Sequence, residues 1–199
     1  MTIAEFTALL LLATAASFTP GPNTTLSTAL AANFGLKRSL RFVLAVPVGW
    51  GLLFSLCAAG VGSLVVAVPV LRYGIQVLGV GYLLWLAFKL AQSSQLAQAD
   101  AARMNVTFLQ GVMMQFLNIK AWMLALSVVA GWLAGRPDAL ARFAITLPLM
   151  VVFGLASNLA YALVGSLLRD WLAEGGRLLW FNRGMALILA ATAAWMATL

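Results

Sequence analysis

The stretch Thr19-Pro20-Gly21-Pro22-Asn23 interrupts an apolar run that carries no charged residue between Glu5 and Lys37. A run of that length exceeds the roughly 20 residues that a helix needs to cross a bilayer. Proline removes a backbone donor and glycine weakens a helix, so the stretch predicts a break at membrane depth. Polar backbone groups at that depth must face protein or a watery cavity. We therefore predict a broken transmembrane helix beside a binding site.

A second polar interruption, Gln115-Phe116-Leu117-Asn118-Ile119-Lys120, lies in the first apolar segment of the second half of the chain. Each half of the sequence thus begins with one interrupted apolar segment. Substrate sites of secondary transporters often lie where two broken helices meet. We predict that the substrate site lies between these two interruptions.

The composition indicates an integral membrane protein. Of the 199 residues, 63% are hydrophobic and only 9% are charged, and the mean hydropathy is +1.00. These values are far from those of a soluble domain, so we expect the lipid bilayer to surround the chain. The net charge of +7 does not indicate nucleic-acid binding, because the basic residues are spread through short loops and not over one face.

The apolar periodicity predicts an all-α polytopic membrane protein with six transmembrane helices, of which the first and fourth are broken. The predicted spans are residues 3–32, 42–68, 70–90, 106–132, 142–168 and 178–198. They leave no room for a soluble domain, so residues 1–199 are predicted to form a single membrane domain. Its predicted parts are repeat one at about 1–91, a polar connector at about 92–105 and repeat two at about 106–199.

Two short patterns support the division into repeats, because they recur at nearly the same offset. They are Arg41-Phe42 followed by Pro47, which returns as Arg142-Phe143 followed by Pro148, and Val61-Gly62-Ser63-Leu64, which returns as Val164-Gly165-Ser166-Leu167. Span two then corresponds to span five. Since each half has three helices, the second half is inverted, as in many secondary transporters. A chance recurrence in an apolar sequence explains one short match more readily than two.

The distribution of basic residues predicts the orientation in the membrane. Eight Lys and Arg residues lie in or next to the predicted loops after spans one, three and five, against three in or next to the alternate loops. Cytoplasmic loops carry the excess of positive charge. Both termini are therefore predicted to lie outside the cytoplasm.

Lys120 is the one basic residue that these boundaries place inside a span and not at its edge. A charge at mid-helix costs about 2.5 to 3.5 kcal/mol on insertion scales, so such a residue usually faces inward for a functional reason. Its expected task is to pair with a substrate carboxylate or to attract anions into the cavity. The alternative is hydrogen bonding to carbonyl groups freed at the other break, and one residue can do both at different stages.

Other polar residues near the breaks are candidates for the cavity wall. Asn23 is placed to cap a half-helix that starts at Thr24. Thr24, with Ser27 and Thr28, shares a helix face that either lines a polar path or hydrogen-bonds to other helices. The complete set of predicted substrate-binding residues is Pro20, Gly21, Pro22, Asn23, Thr24, Gln115, Asn118, Lys120, Asn158 and Tyr161.

The residue inventory argues against other classes of protein. Histidine is absent, Cys57 is alone, and every Asp and Glu falls at a predicted span end or in a loop. We expect no metal site, no cofactor and no catalytic residues, because the usual ligands, nucleophiles and bases are missing. A membrane electron carrier of similar topology needs two nearby cysteines. A membrane scaffold that transports nothing remains an alternative.

At the two breaks the chain resembles the LysE/RhtB family of amino-acid exporters. Thr19-Pro20-Gly21-Pro22-Asn23 matches the family's first motif, and Asn118-Ile119-Lys120-Ala121 matches the second except that Ile119 replaces proline. That replacement predicts a milder break in span four. Within the family, residues 115–120, and Asn158 with Ala162-Leu163 and Gly165, are more similar to the cysteine and O-acetylserine branch.

The resemblance implies an efflux carrier in the bacterial inner membrane, with a small neutral amino acid or derivative as substrate. Cysteine, O-acetylserine, threonine and homoserine are of this class. Some relatives have an acidic residue in the second helix, where Gly49-Trp50-Gly51-Leu52 has none, and this argues against lysine or arginine. Gly131 and Gly135 form a small-xxx-small pair, which leaves a homo-oligomer possible without predicting one.

Overall fold

The computed structural model describes residues 1–93 and 106–198, and these residues form ten α-helices joined by short turns. The helices are α1 (Ile3–Phe18), α2 (Pro22–Phe34), α3 (Leu36–Ala58), α4 (Val61–Ala67), α5 (Pro69–Ala91), α6 (Phe108–Leu117), α7 (Ile119–Val128), α8 (Ala139–Leu167), α9 (Arg169–Leu172) and α10 (Arg177–Ala197). A π-helical segment, Val129–Leu133, continues α7.

Six segments of the described chain are long and apolar enough to cross a membrane when each bent pair is counted as one span. Four are the single helices α3, α5, α8 and α10. The other two are bent pairs, in which α1 and α2 meet at 48° and α6 and the α7 segment meet at 69°. The prediction of an all-α, polytopic membrane protein with its first and fourth spans broken is confirmed.

The predicted limits of span two, residues 42–68, are wrong. The helix begins at Leu36, so the basic residues assigned to the preceding loop lie in its first turns. It ends at Ala58 because Gly60 has a φ of +98°, a left-handed conformation that stops a helix, and α4 follows as a separate element. Most of the predicted connector, residues 94–105 with Asp100 and Arg103, lies outside the described residues.

Charged groups join the amino terminus to the turn before α8. The terminal amine lies 3.8 Å from Asp138, and Arg142 contacts both Asp138 at 2.8 Å and Glu5 at 3.2 Å. Arg136 lies 3.3 Å from the same Glu5 carboxylate. The Arg142 guanidinium lowers the pKa of Asp138 below its ordinary value. These contacts place the chain's beginning and the turn between spans four and five on one face of the protein.

A buried amide pair joins helix ends at another position. Asn33, near the end of α2, exchanges hydrogen bonds of 2.8 and 3.0 Å with Asn182 of α10. The Asn182 amide also donates to the carbonyl of Ser93, which follows α5. The ends of spans one and three therefore meet the beginning of span six, as expected when successive spans cross in alternating directions.

The packing of the spans is what two related halves predict. The broken span of each half packs on the middle span of the other, α2 on α8 and α6 on α3, while α5 packs on α10. A Cβ at Gly165 would lie 2.1 Å from the Thr28 carbonyl oxygen, and one at the repeat-related Gly62 would lie 2.5 Å from Leu126. Each glycine thus permits close contact with the second half of the opposite broken span. The two inverted repeats remain a prediction, which this packing supports.

Candidate substrate site between the two breaks

The first break leaves the carbonyl groups of residues 17–19 without intrahelical partners, because α1 ends at Phe18 and the chain is extended before α2 starts at Pro22. Side chains from the second half of the chain donate to three consecutive carbonyls. Ser157 Oγ donates to Ser17 O, Tyr161 Oη to Phe18 O at 3.0 Å, and Lys120 Nζ to Thr19 O at 3.1 Å. The first break is therefore stabilised by residues of α7 and α8.

The second half of span one begins at Pro22, two residues earlier than the predicted Thr24. Gly21 is the N-cap of α2 and Pro22 is its first residue, so the expectation that Asn23 caps this helix is wrong. Proline is favoured at the first helical position because its fixed φ already suits the helix. The Gly21 N–H donates to Thr24 Oγ1 at 3.0 Å, and that hydroxyl lies 3.1 Å from Gly21 O, to which it can donate.

Asn23 instead connects the two broken spans. Its amide donates to Gln115 Oε1 at 2.9 Å, and Gln115 Nε2 donates back to Asn23 Oδ1 at 3.1 Å. Gln115 Nε2 also lies 3.2 Å from the carbonyl of Gly111 within α6. Gln115 is fully buried. This pair fixes the start of α2 against the end of α6.

The second break is made by Asn118 alone. Its backbone is extended, with φ −93° and ψ 99°, and its side chain accepts a hydrogen bond of 3.1 Å from the Lys120 N–H at the start of α7. The Trp122 indole donates to the freed Phe116 carbonyl at 2.8 Å. The prediction of a milder break here is wrong, since the bend of 69° exceeds the 48° of span one. The cap turns the chain without a proline at residue 119.

A cavity lies between the two breaks, and α3 and α8 complete its wall. Its volume is about 80 Å³, several times the ~15 Å³ that one water molecule needs. Seven predicted residues line it: Gly21, Pro22, Asn23, Thr24, Asn118, Lys120 and Asn158. The remaining three, Pro20, Gln115 and Tyr161, lie outside the wall. Pro20 is exposed, and the other two make the hydrogen bonds described above.

Lys120 places a half-buried ammonium group in this cavity. Its ammonium group donates a hydrogen bond to Thr19 O, a carbonyl freed at the other break. This contact is the alternative role that the sequence predicted for Lys120. An ammonium has three N–H groups, so one carbonyl does not exhaust its capacity. A Cβ at Gly21 would lie 3.4 Å from Nζ, and the absence of a side chain there leaves room beside the charge.

Several wall residues were not predicted, among them Pro47 and Trp50 of α3 and Met150 of α8. Trp50 is buried, and its position between two glycines was the available signal for close packing in α3. Ser27 and Thr28 of the predicted polar face do not line the cavity. Ser27 donates to Asn158 Oδ1 at 2.9 Å, and Thr28 donates to the Thr24 carbonyl. Both hydroxyl groups therefore donate hydrogen bonds within the protein and do not line a polar path.

Comparison with known proteins agrees with this architecture. The chain matches the family described as LysE type translocator over residues 14–198. The chain belongs to the LysE-type translocator family. This translocator is 30% identical over 173 residues to the cysteine/O-acetylserine efflux protein of Salmonella typhimurium, and 28% identical over the same length to that of Escherichia coli K12. Each match covers 87% of both chains. No solved structure matches the chain.

The family match includes both breaks and every predicted site residue of this translocator. The motif at the first break contributes Gly21, Pro22 and Asn23 to the cavity wall. The motif at the second break contributes Asn118 and Lys120. The two motifs are thus adjacent in space although they lie in different halves of the chain.

Proposed function

We propose that this protein is a secondary transporter that exports a small neutral amino acid or derivative across the bacterial inner membrane. The cavity between the two breaks is the proposed substrate site. The observation that carries the proposal is the Lys120 ammonium in a wall that has no Asp or Glu among the described residues. A positive site of this kind favours a carboxylate-bearing substrate over a cation.

The proposed substrate class is that of cysteine and O-acetylserine, with threonine and homoserine as the second choice. The names of the Salmonella and Escherichia relatives support the first choice. A lysine or arginine substrate would bring a second positive charge beside Lys120, and the described wall has no carboxylate to balance it.

In the proposed mechanism Lys120 exchanges one partner for another. Without substrate its ammonium donates to Thr19 O, and with substrate it pairs with the carboxylate. The N-terminal end of α2 carries the partial positive charge of the helix dipole. Its residues Pro22, Asn23 and Thr24 line the same cavity. The two inverted repeats then expose the site to each side of the membrane in turn, with both termini outside the cytoplasm.

Transport by the purified protein in proteoliposomes tests the proposal. A panel of labelled amino acids would include cysteine, O-acetylserine, threonine, homoserine and lysine. We expect substrate-dependent flux for the first group and little for lysine. A membrane scaffold would give no flux with any member of the panel. An electron carrier would give none either, but would lose its redox activity in the Cys57→Ser variant.

A reporter fused to the carboxyl terminus tests the orientation separately. An enzyme reporter that works only outside the cytoplasm is expected to be active there, and one that works only in the cytoplasm is expected to be inactive. The opposite pattern would contradict the proposed topology without affecting the assignment of the site.

A further inference from the structure

Trp50 has an unused hydrogen-bond donor in the cavity region. The residue lies in α3, lines the cavity and is 7% exposed. Its Nε1 is buried, and it has no hydrogen-bond acceptor among residues 1–93 and 106–198. A buried donor without a partner is costly, and native proteins contain few of them. Trp50 thus combines contact with the cavity and an unpaired donor, and this combination requires an explanation.

Other indoles show that the fold satisfies such donors where it can. Trp122 donates to the Phe116 carbonyl at 2.8 Å, and Trp132 donates to the Glu5 carbonyl at 2.9 Å. The Trp50 ring is also not loosely packed. It stacks on Phe54 with ring centroids 5.1 Å apart and an interplanar angle of 10°, and Phe54 stacks in the same way on Phe143. The stack holds the ring, so the orientation of its unpaired N–H is fixed.

An indole N–H only donates, so its partner must be an acceptor. The amide of Asn158, a neighbour in the wall, does not pair with Trp50: its Oδ1 accepts from Ser27 and its Nδ2 donates to the Gly154 carbonyl. Lys120 adds a positive charge to the same cavity. A ligand group that accepts several hydrogen bonds and carries a negative charge suits both donors, and a carboxylate has these properties.

We infer that Trp50 is a substrate-binding residue whose indole N–H donates to a carboxylate oxygen of the transported amino acid. The inference rests on the proposed function and adds a specific contact to it. Lys120 supplies the charge, and Trp50 supplies a donor in a fixed orientation. The stack of Trp50 on Phe54 and Phe143 thus contributes to substrate recognition as well as to packing.

The Trp50→Phe variant tests this contact, because phenylalanine keeps an aromatic ring in the stack and removes the N–H. In proteoliposomes we expect the apparent KM for the transported amino acid to rise roughly tenfold, as for loss of one hydrogen bond to a charged group. The maximal rate should stay within about twofold of the parent. The control is Trp180→Phe, since Trp180 is 71% exposed and lies outside the cavity wall.

A pair of competitors identifies the group that Trp50 contacts. Cysteine and cysteamine differ in the carboxylate, which cysteamine lacks. We expect Trp50→Phe to weaken competition by cysteine roughly tenfold and to leave competition by cysteamine unchanged. An unchanged KM, or an equal loss for both competitors, would overturn the inference. Absence of flux in the parent protein would instead contradict the proposed function.

A second replacement covers the case in which Trp50→Phe does not fold. Benzothienylalanine has the same two-ring shape with sulfur in place of the N–H, and can be introduced at residue 50. A monodisperse gel-filtration profile would show that the protein is intact. The same rise in KM is expected, and a KM equal to that of the parent would overturn the inference.

Discussion

Both breaks free polar backbone groups within a membrane span, but the two breaks differ in composition and in geometry. The first extends over several residues, contains Pro20 and Pro22, and bends span one by 48°. The second consists of Asn118, has no proline, and bends span four by 69°. The number of prolines therefore does not set the angle. The two breaks also differ in where the freed backbone groups find new partners.

Those partners are distant at the first break and local at the second. The carbonyls that end α1 accept hydrogen bonds from Lys120, Ser157 and Tyr161, all in the other half of the chain. At the second break the partners are the side chain of Asn118 and the indole of Trp122. The second break is therefore largely self-contained, whereas the first needs the assembled bundle. Lys120 belongs to both, since it follows one break and donates to the other.

Replacement of Lys120, which contacts both breaks, should have the largest effect on export. We expect Lys120→Ala to reduce export at least a hundredfold while the protein still inserts, because both the charge for the carboxylate and the bond to Thr19 are lost. Flux in proteoliposomes and the amount of protein in membranes measure the two effects. Lys89→Ala is a matched control, since the Lys89 ammonium lies over the Trp85 ring and outside the cavity. Export at the parental rate in Lys120→Ala would remove this residue from the mechanism.

Tyr161→Phe separates the two roles of Lys120. Tyr161 donates to the carbonyl next to the one that Lys120 contacts, but it does not line the cavity. Loss of its hydroxyl should cost about 1 kcal/mol of stability, with export still measurable. If Tyr161→Phe and Lys120→Ala lose export equally, closure of the first break, and not charge in the cavity, is the function of both.

The amide pair between the breaks should have the largest effect on stability. We expect Asn23→Ala and Gln115→Ala each to destabilise the protein by about 1 to 3 kcal/mol, because each leaves a polar group of its partner unpaired. A double-mutant cycle on the free energy of unfolding should give a coupling of at least about 0.5 kcal/mol. Asn33→Ala with Asn182→Ala is the matched cycle at a pair away from the cavity. It should show coupling too, but no change in substrate KM. Additive effects at Asn23 and Gln115 would contradict the pairing.

Loss of the cap at the second break should have a smaller effect on stability. Asn118→Ala removes the acceptor for the Lys120 N–H, for which we expect a cost of about 1 kcal/mol and a several-fold loss of export. Asn118→Ser keeps an oxygen that can cap α7 and should recover most of the stability. Thermal midpoints in detergent compare the two variants. Equal midpoints for alanine and serine would show that the cap does not stabilise this break.

The smallest effect is expected for Ile119→Pro, which restores the residue of the family motif. Residue 119 is the first position of α7, where proline is tolerated, and Asn118 already has the extended backbone that a following proline requires. The change in stability should stay within about 1 kcal/mol, and export should persist. A large loss in either measurement would show that the backbone at Asn118 differs from the one described.

The sequence predicted more of the fold than of the site. The six spans were found to within a few residues except where α3 begins and ends, because long apolar runs have few alternatives in a membrane. The site was predicted less well. Asn23 pairs with Gln115 and is not a cap, and Tyr161 contacts a carbonyl outside the cavity. Trp50 was not predicted at all, since nothing in a sequence shows that a donor lacks an acceptor.

The sequence by itself determined where the chain breaks and where its charge lies. Proline lacks a donor wherever it occurs, and a lone lysine in an apolar segment is visible without coordinates. Only the tertiary structure decided the bend angles, the partners of the freed carbonyls and the residues that reach the cavity. These depend on contacts between distant residues, such as Lys120 with Thr19, 101 positions apart, and Tyr161 with Phe18, 143 positions apart. Such contacts form only when the two halves of the protein pack together.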